Sequence, residues 1–215
     1  MNKKYELTKE SIEWCGKKLF RIKALISFGN VSKGEKGGFI EKEENLAWVS
    51  GNAWVYGDAR VYGDAWVSGN AWVYGDARVY GDAWVYGDAR VYGNARVYGN
   101  AWVYGNARVY GNAWVYGNAR VSGDAWVYGD ARVSGNARVS GDAWVYGKFS
   151  ITAGYFFGMK HDNEEIKTFK TGEGEEIIYK GNNAKIEPTI PEVPTLKGKK
   201  VSVELDGVKY TANID

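Results

Sequence analysis

From Ala47 to Ala143 alanine recurs at every sixth residue without a gap, and valine follows two places later from Val49 to Val145. A period of six suits neither a 3.6-residue helix nor a plain hairpin. It is the period of a parallel β-helix, in which each hexad supplies one short strand and one corner. Three hexads close a triangular coil, so residues i and i+18 stack at about the 4.8 Å spacing of paired strands. Gly-Asn or Gly-Asp precedes every alanine of the series from Ala53 to Ala143. Those are residues that turn a chain through the left-handed region at least cost. Valine and alanine are expected to point inward. The Trp/Arg and Tyr/Ser positions that flank valine alternate with it and are expected to point outward.

Unrolling the triangle shows that the choice between tryptophan and arginine is ordered. The first face stacks Trp48, Trp66, Trp84, Trp102, Arg120 and Arg138. The second stacks Trp54, Trp72, Arg90, Arg108, Trp126 and Trp144, beside a tyrosine ladder from Tyr56 to Tyr146. The third stacks Arg60, Arg78, Arg96, Trp114 and Arg132, with Tyr62, Tyr80 and Tyr98 alongside.

The array resembles the hexapeptide-repeat, left-handed parallel β-helix family, and "VYGNAR" fits that family's unit of an aliphatic residue, three variable ones, a small residue and one more. The resemblance implies the left hand, since crossovers between parallel strands are otherwise almost always right-handed. It also implies a tendency to form trimers. The leader "RIKAL…FGNV…G…GGFIE…NL" resembles the N-terminal segment of phage, prophage and YdcK-like bacterial hexapeptide-repeat proteins. That likeness implies provenance rather than an activity. The expected fold is therefore all-β: a left-handed parallel β-helix, a triangular solenoid of nearly six coils with β-hairpin caps at both ends. A capping segment spans 1–44, with a hairpin turning at Gly16, and closes the open first coil as terminal solenoid units must. The hexad array spans 45–152, and 153–187 carries a second capping hairpin turning at "GEG". A Pro-containing linker follows at 188–197, and 198–215 form a third hairpin turning at Asp206-Gly207.

Several function classes drop out. Many hexapeptide proteins are acyltransferases with a catalytic histidine near an inserted loop. This chain has one histidine, His161, outside an array that carries no insertion. No catalytic residue, cofactor or metal site is expected, and a degenerate acyltransferase is the remote alternative. One cysteine, Cys15, permits no intrachain disulfide and suits the reducing cytoplasm of a host cell. Neither a signal peptide nor a membrane span is expected. Eight arginines and eight aspartates balance within 47–146, so duplex nucleic acid is not expected as a partner.

What remains is a scaffold that presents aromatic and arginine ladders to a protein partner, including a dimer or trimer of itself. Trp48, Trp66, Trp84, Trp102, Trp54 and Trp72 are the candidate partner-binding residues, because Trp, Tyr and Arg dominate interface hot spots. The alternative is a ligand-sequestering protein, a nucleotide-signal sponge in counter-defence, with a nucleotide or sugar held by Arg60, Arg78, Arg96, Tyr62, Tyr80 and Tyr98. The ladders also have a purely stabilising reading, since stacked rings support neighbouring rungs.

Overall fold

The structure, a computed structural model, describes residues 3–47, 51–156, 166–170, 176–180, 200–205 and 208–213. The chain divides into two compact units, Met1–Met159 and Lys160–Asp215.

The first unit is a parallel β-solenoid of about six coils. Its rungs are seventeen two-residue strands, from β4 (Trp54–Val55) to β20 (Ser150–Ile151), one per hexad, followed by β21 (Tyr155–Phe156). They sort into three sheets in the unrolled order, with Arg96 opposite Trp114 and Val97 opposite Val115, eighteen residues on. Each coil donates backbone hydrogen bonds to the next, such as Arg96 N–H to the Ala113 carbonyl at 2.9 Å and Tyr98 N–H to Val115 at 3.0 Å. The last rung arrives one residue early, with Arg138 opposite Tyr155.

Valine and alanine fill the interior, and from Val55 to Ala143 every repeat valine is wholly buried. The corners carry a second ladder. Asn112 Nδ2 donates to Asp130 Oδ1 at 3.0 Å, and Asn106 Nδ2 to Asp124 Oδ1 at 2.9 Å. An asparagine below an aspartate thus gives the carboxylate a donor where a second carboxylate would repel it.

The leader extends the third face and closes the first coil. Strands β1 (Tyr5–Trp14) and β2 (Lys17–Ala24) form the expected antiparallel hairpin, with Trp14 opposite Lys17 across Cys15-Gly16. Strand β3 (Lys36–Ile40) pairs antiparallel with β2 and parallel with β5 (Arg60–Val61), so the hairpin is continuous with the solenoid sheet. Gly37 lies so near the first coil that a Cβ would meet the Val55 carbonyl oxygen at 2.5 Å. The Tyr5 hydroxyl is placed to donate to the Glu43 and Leu46 carbonyls, each 2.7 Å away. In the first coil, where Asp58 and Asp64 stack against Asp76 and Asp82 of the next, the leader supplies a cation to each. Lys42 Nζ lies 2.7 Å from Asp64, and the Arg21 guanidinium lies 3.6 Å from Asp58.

Two expectations about the first coil need correction. Leu46 sits opposite Val67, a place that the spacing of eighteen assigns to Val49. Leu46 and the wholly buried Asn45 close the coil here, and Asn45 Nδ2 donates to the Gly63 and Ala65 carbonyls at 3.0 and 2.8 Å. Trp54, expected outside, is wholly buried, because Tyr5 and Phe28 of the leader pack edge-on against its ring.

The second unit contains two antiparallel hairpins, β22 (Ile166–Lys170) with β23 (Glu176–Lys180), and β24 (Lys200–Leu205) with β25 (Val208–Asn213). Leu205 pairs with Val208, which leaves Asp206-Gly207 as the two-residue connection. The linker at 188–197, the "GEG" turn and His161 lie outside the described residues.

Candidate functional site

The outward side chains meet at rung spacing, and that spacing decides what each face can offer. On the second face Tyr74, Tyr92, Tyr110 and Tyr128 stack with ring centroids 4.7 to 4.9 Å apart and planes within 3°. On the third, Tyr62, Tyr80, Tyr98 and Tyr116 do the same at 4.8 to 5.0 Å. Rings stacked this way use their faces on one another, each contact adding about 0.5–1.5 kcal/mol beyond area burial. Solvent meets their edges. A sugar ring or nucleobase stacks on a free ring face, and within these ladders the inner faces are already taken by neighbouring tyrosines.

Burial also changes the phenols. Tyr74, Tyr92 and Tyr110 titrate above the ordinary tyrosine range, chiefly because burial penalises the phenolate, and Tyr110 is pushed up to about 12. Neighbouring tyrosines add to the rise at Tyr74 and Tyr110.

Where an arginine rung adjoins a tryptophan rung, the guanidinium lies on the indole. The Arg108 guanidinium lies 4.8 Å from the Trp126 ring, Arg90 lies 5.1 Å from Trp72, and Arg120 lies 4.6 Å from Trp102. Trp114 is held from both sides, by Arg96 at 4.7 Å and Arg132 at 5.1 Å. These three, with Asn94, Asn112 and Asp130, line an open groove of about 280 Å³.

The first face differs from the other two. Trp66 and Trp84 are each 38% exposed and, with Tyr155, are the exposed large hydrophobic side chains among the described residues. Trp66 meets Trp84 edge to face at 5.2 Å, and Trp84 stacks on Trp102 at 5.4 Å. Of the six tryptophans singled out in the sequence, these three stand together. Trp54 is buried under the leader, Trp72 is covered by Arg90 and Tyr56, and Trp48 lies outside the described residues.

The ligand candidates are placed differently from expectation as well. Trp14, at the tip of the leader hairpin, lies against the Arg60 guanidinium at 4.3 Å and the Arg78 guanidinium at 4.6 Å. Tyr62 is buried with Leu19 and Phe39, and Ile12, Trp14 and Tyr80 pack against that cluster. Tyr80 and Tyr98 are spent in the stack, and Arg96 leans on Trp114. Trp14 therefore belongs to this region and was missed. Its signal was available, as the one tryptophan outside the array, but nothing in its own segment says which face it covers.

Charge in this region is uneven. Glu10 is held by Arg21 and Lys36, Glu41 by Lys17 and the Gly63 N–H. Hydrogen bonds from Lys36 and Arg21 keep the Glu10 carboxyl below the usual carboxylate range. Among the described residues, Arg60 and Arg78 form no ion pair, and the Nε of each is buried without a hydrogen-bond partner. They occupy adjacent rungs. Two cations about 5 Å apart repel by roughly 3 kcal/mol at an effective dielectric of 20.

Comparison with known proteins matches the solenoid alone. Seven stretches fit the YdcK Beta solenoid repeat: residues 53–69, 59–75, 71–87, 89–105, 101–116, 113–129 and 131–147. All lie within the rungs that carry the ladders. No curated protein matches the chain.

Proposed function

We propose that this chain, a YdcK-type β-solenoid repeat protein, is a non-enzymatic cytoplasmic scaffold that associates through its first face. The observation that carries this reading is the Trp66–Trp84–Trp102 ladder, in which Trp66 and Trp84 are exposed, while the leader buries Trp54 and arginine lies on Trp72, Trp114 and Trp126. Stacked indoles left in water favour a protein interface, and Trp is enriched among the residues that dominate binding energy. A second copy of the same chain suits this ladder. Its rungs repeat at the same spacing, so ladder meets ladder at every coil without a change of register.

The absence of an inserted loop in the array favours a structural role over acyl transfer, because the rungs run without interruption from β4 to β20. Sedimentation equilibrium tests the proposal. The wild-type chain is expected to sediment as a multiple of its 23.9 kDa mass. The double variant Trp66→Ser, Trp84→Ser is expected to sediment as a monomer with an unchanged far-UV spectrum. A wild-type chain that stays monomeric at high concentration removes the self-association reading.

A further inference from the structure

We infer that Arg60 and Arg78, set by Trp14 of the leader hairpin, form a binding site for a diphosphate group. Three observations meet at this point on the third face. Both guanidiniums rest against the one indole ring, at 4.3 and 4.6 Å, so their planes are held by the leader and do not sweep freely. Both Nε atoms are buried without an acceptor, yet both side chains remain partly exposed. The uncommitted Nη groups are therefore the parts that reach water. Among the described residues no carboxylate pairs with either arginine. Glu10, Glu41, Asp58 and Asp64, acids at the same end of the solenoid, each have another cation. Asp76 stands at the corner two residues before Arg78 and forms no ion pair with it.

A fold that places two like charges on adjacent rungs, fixes them on an aromatic ring and commits Glu10, Glu41, Asp58 and Asp64 to other cations is arranged for an anion from outside. Guanidinium forks pair with phosphate oxygens through two parallel hydrogen bonds. Two forks one rung apart, at about 4.8 Å, suit two linked phosphates better than one, and Arg96 on the next rung extends the row. The site lies within one chain and needs no second copy, so it stands apart from association through the first face. The leader forms one side of it.

Calorimetry on the full chain tests this, with inorganic pyrophosphate as probe and ADP and orthophosphate beside it. Pyrophosphate is expected to bind more tightly than orthophosphate and to raise the melting temperature. Arg78→Gln, which keeps length and polarity without charge, is expected to weaken binding by at least about tenfold, the loss expected for a charged hydrogen-bond pair. Arg138→Gln, on the first face, is expected to leave binding unchanged. Trp14→Leu is expected to weaken binding while the charge count stays constant. If ADP binds with the same dependence on Arg78, the natural source of the diphosphate is a nucleotide. If pyrophosphate alone binds, it is the free anion. No binding of either, or an equal loss in Arg78→Gln and Arg138→Gln, overturns the proposal.

Discussion

At the scale of single residues, two requirements recur every six residues: an apolar side chain that fills the interior and a glycine that lets corners stack. Val97 is wholly buried. Val97→Asp would place a carboxylate where no donor waits, at a cost of several kcal/mol, whereas Trp102→Ala removes an outer ring stacked on Trp84 and costs about 1 kcal/mol. Thermal melts that reverse this order would contradict the inside–outside assignment. The corner glycines separate backbone strain from packing. Gly147 has φ +68° and open space where a Cβ would stand, while Gly99, also at +68°, would put that carbon 3.0 Å from the Gly117 nitrogen. Gly147→Ala carries the left-handed penalty alone, about 1–2 kcal/mol. Gly99→Ala adds a backbone clash and is expected to melt lower. Equal melting temperatures would mean that coils separate freely at the corner.

At the scale of the element, the tyrosine ladder links stability to pH. A tyrosine in the unfolded chain loses its proton near pH 10. In the folded chain Tyr110 holds its proton up to about pH 12, and Tyr74 and Tyr92 shift in the same direction. Between those values the unfolded state binds fewer protons, so stability falls as pH rises. The contribution is complete below about pH 10 and disappears through about pH 12. Denaturant midpoints should therefore be flat from pH 7 to 9 and decline above 10, and the variant Tyr92→Phe, Tyr110→Phe should decline less steeply. A parallel decline in both would place the alkaline sensitivity elsewhere. The existence of this ladder was legible in the sequence, because a strict period of six fixes which residues share a face. Its chemistry was less so. Period two sends Trp54 outward, yet the leader buries it, and contacts between residues 28 and 54 or 14 and 60 follow no local rule. Arg60, Arg78 and Tyr62 were identifiable as neighbours from spacing alone. Their cover became visible only once β1 and β2 were seen to extend the third-face sheet.

For the whole molecule, the repeat acts at two periods, and deletions distinguish them. The backbone repeats every six residues, since each hexad is one rung and one corner. The outer ladders repeat every eighteen, because Arg96 meets Trp114 and Trp126 meets Trp144 only when a full coil separates them. Deleting residues 94–99 joins Gly93 to Asn100, keeps the hexad and rotates all later rungs by one face. Val79 then lies against Val103, so the core still aligns. Outside, Arg78 exchanges Arg96 for Trp102, Trp84 exchanges Trp102 for Arg108, and Arg90 exchanges Arg108 for Trp114. Three pairs of like side chains become three arginine–tryptophan pairs, the contact already present between Arg108 and Trp126. This variant should fold and melt within a few degrees of the wild type. Deleting 94–111 joins Gly93 to Asn112 and leaves every later side chain on its own face, but it removes a whole coil and sets Asp88 against Asp124. Solenoid stability is close to a sum over units and their nearest neighbours, so this variant should fold cooperatively and melt below the six-residue deletion. Deleting 94–96 alone puts Tyr98 where alanine belongs and Asn100 where valine belongs, and should abolish the solenoid beyond that point. Circular dichroism and melting of the three chains rank them. If the six-residue deletion melts well below the eighteen-residue one, the face on which the later rungs lie matters in itself, and the order of tryptophan and arginine holds the coils in register beyond the contacts at the junction.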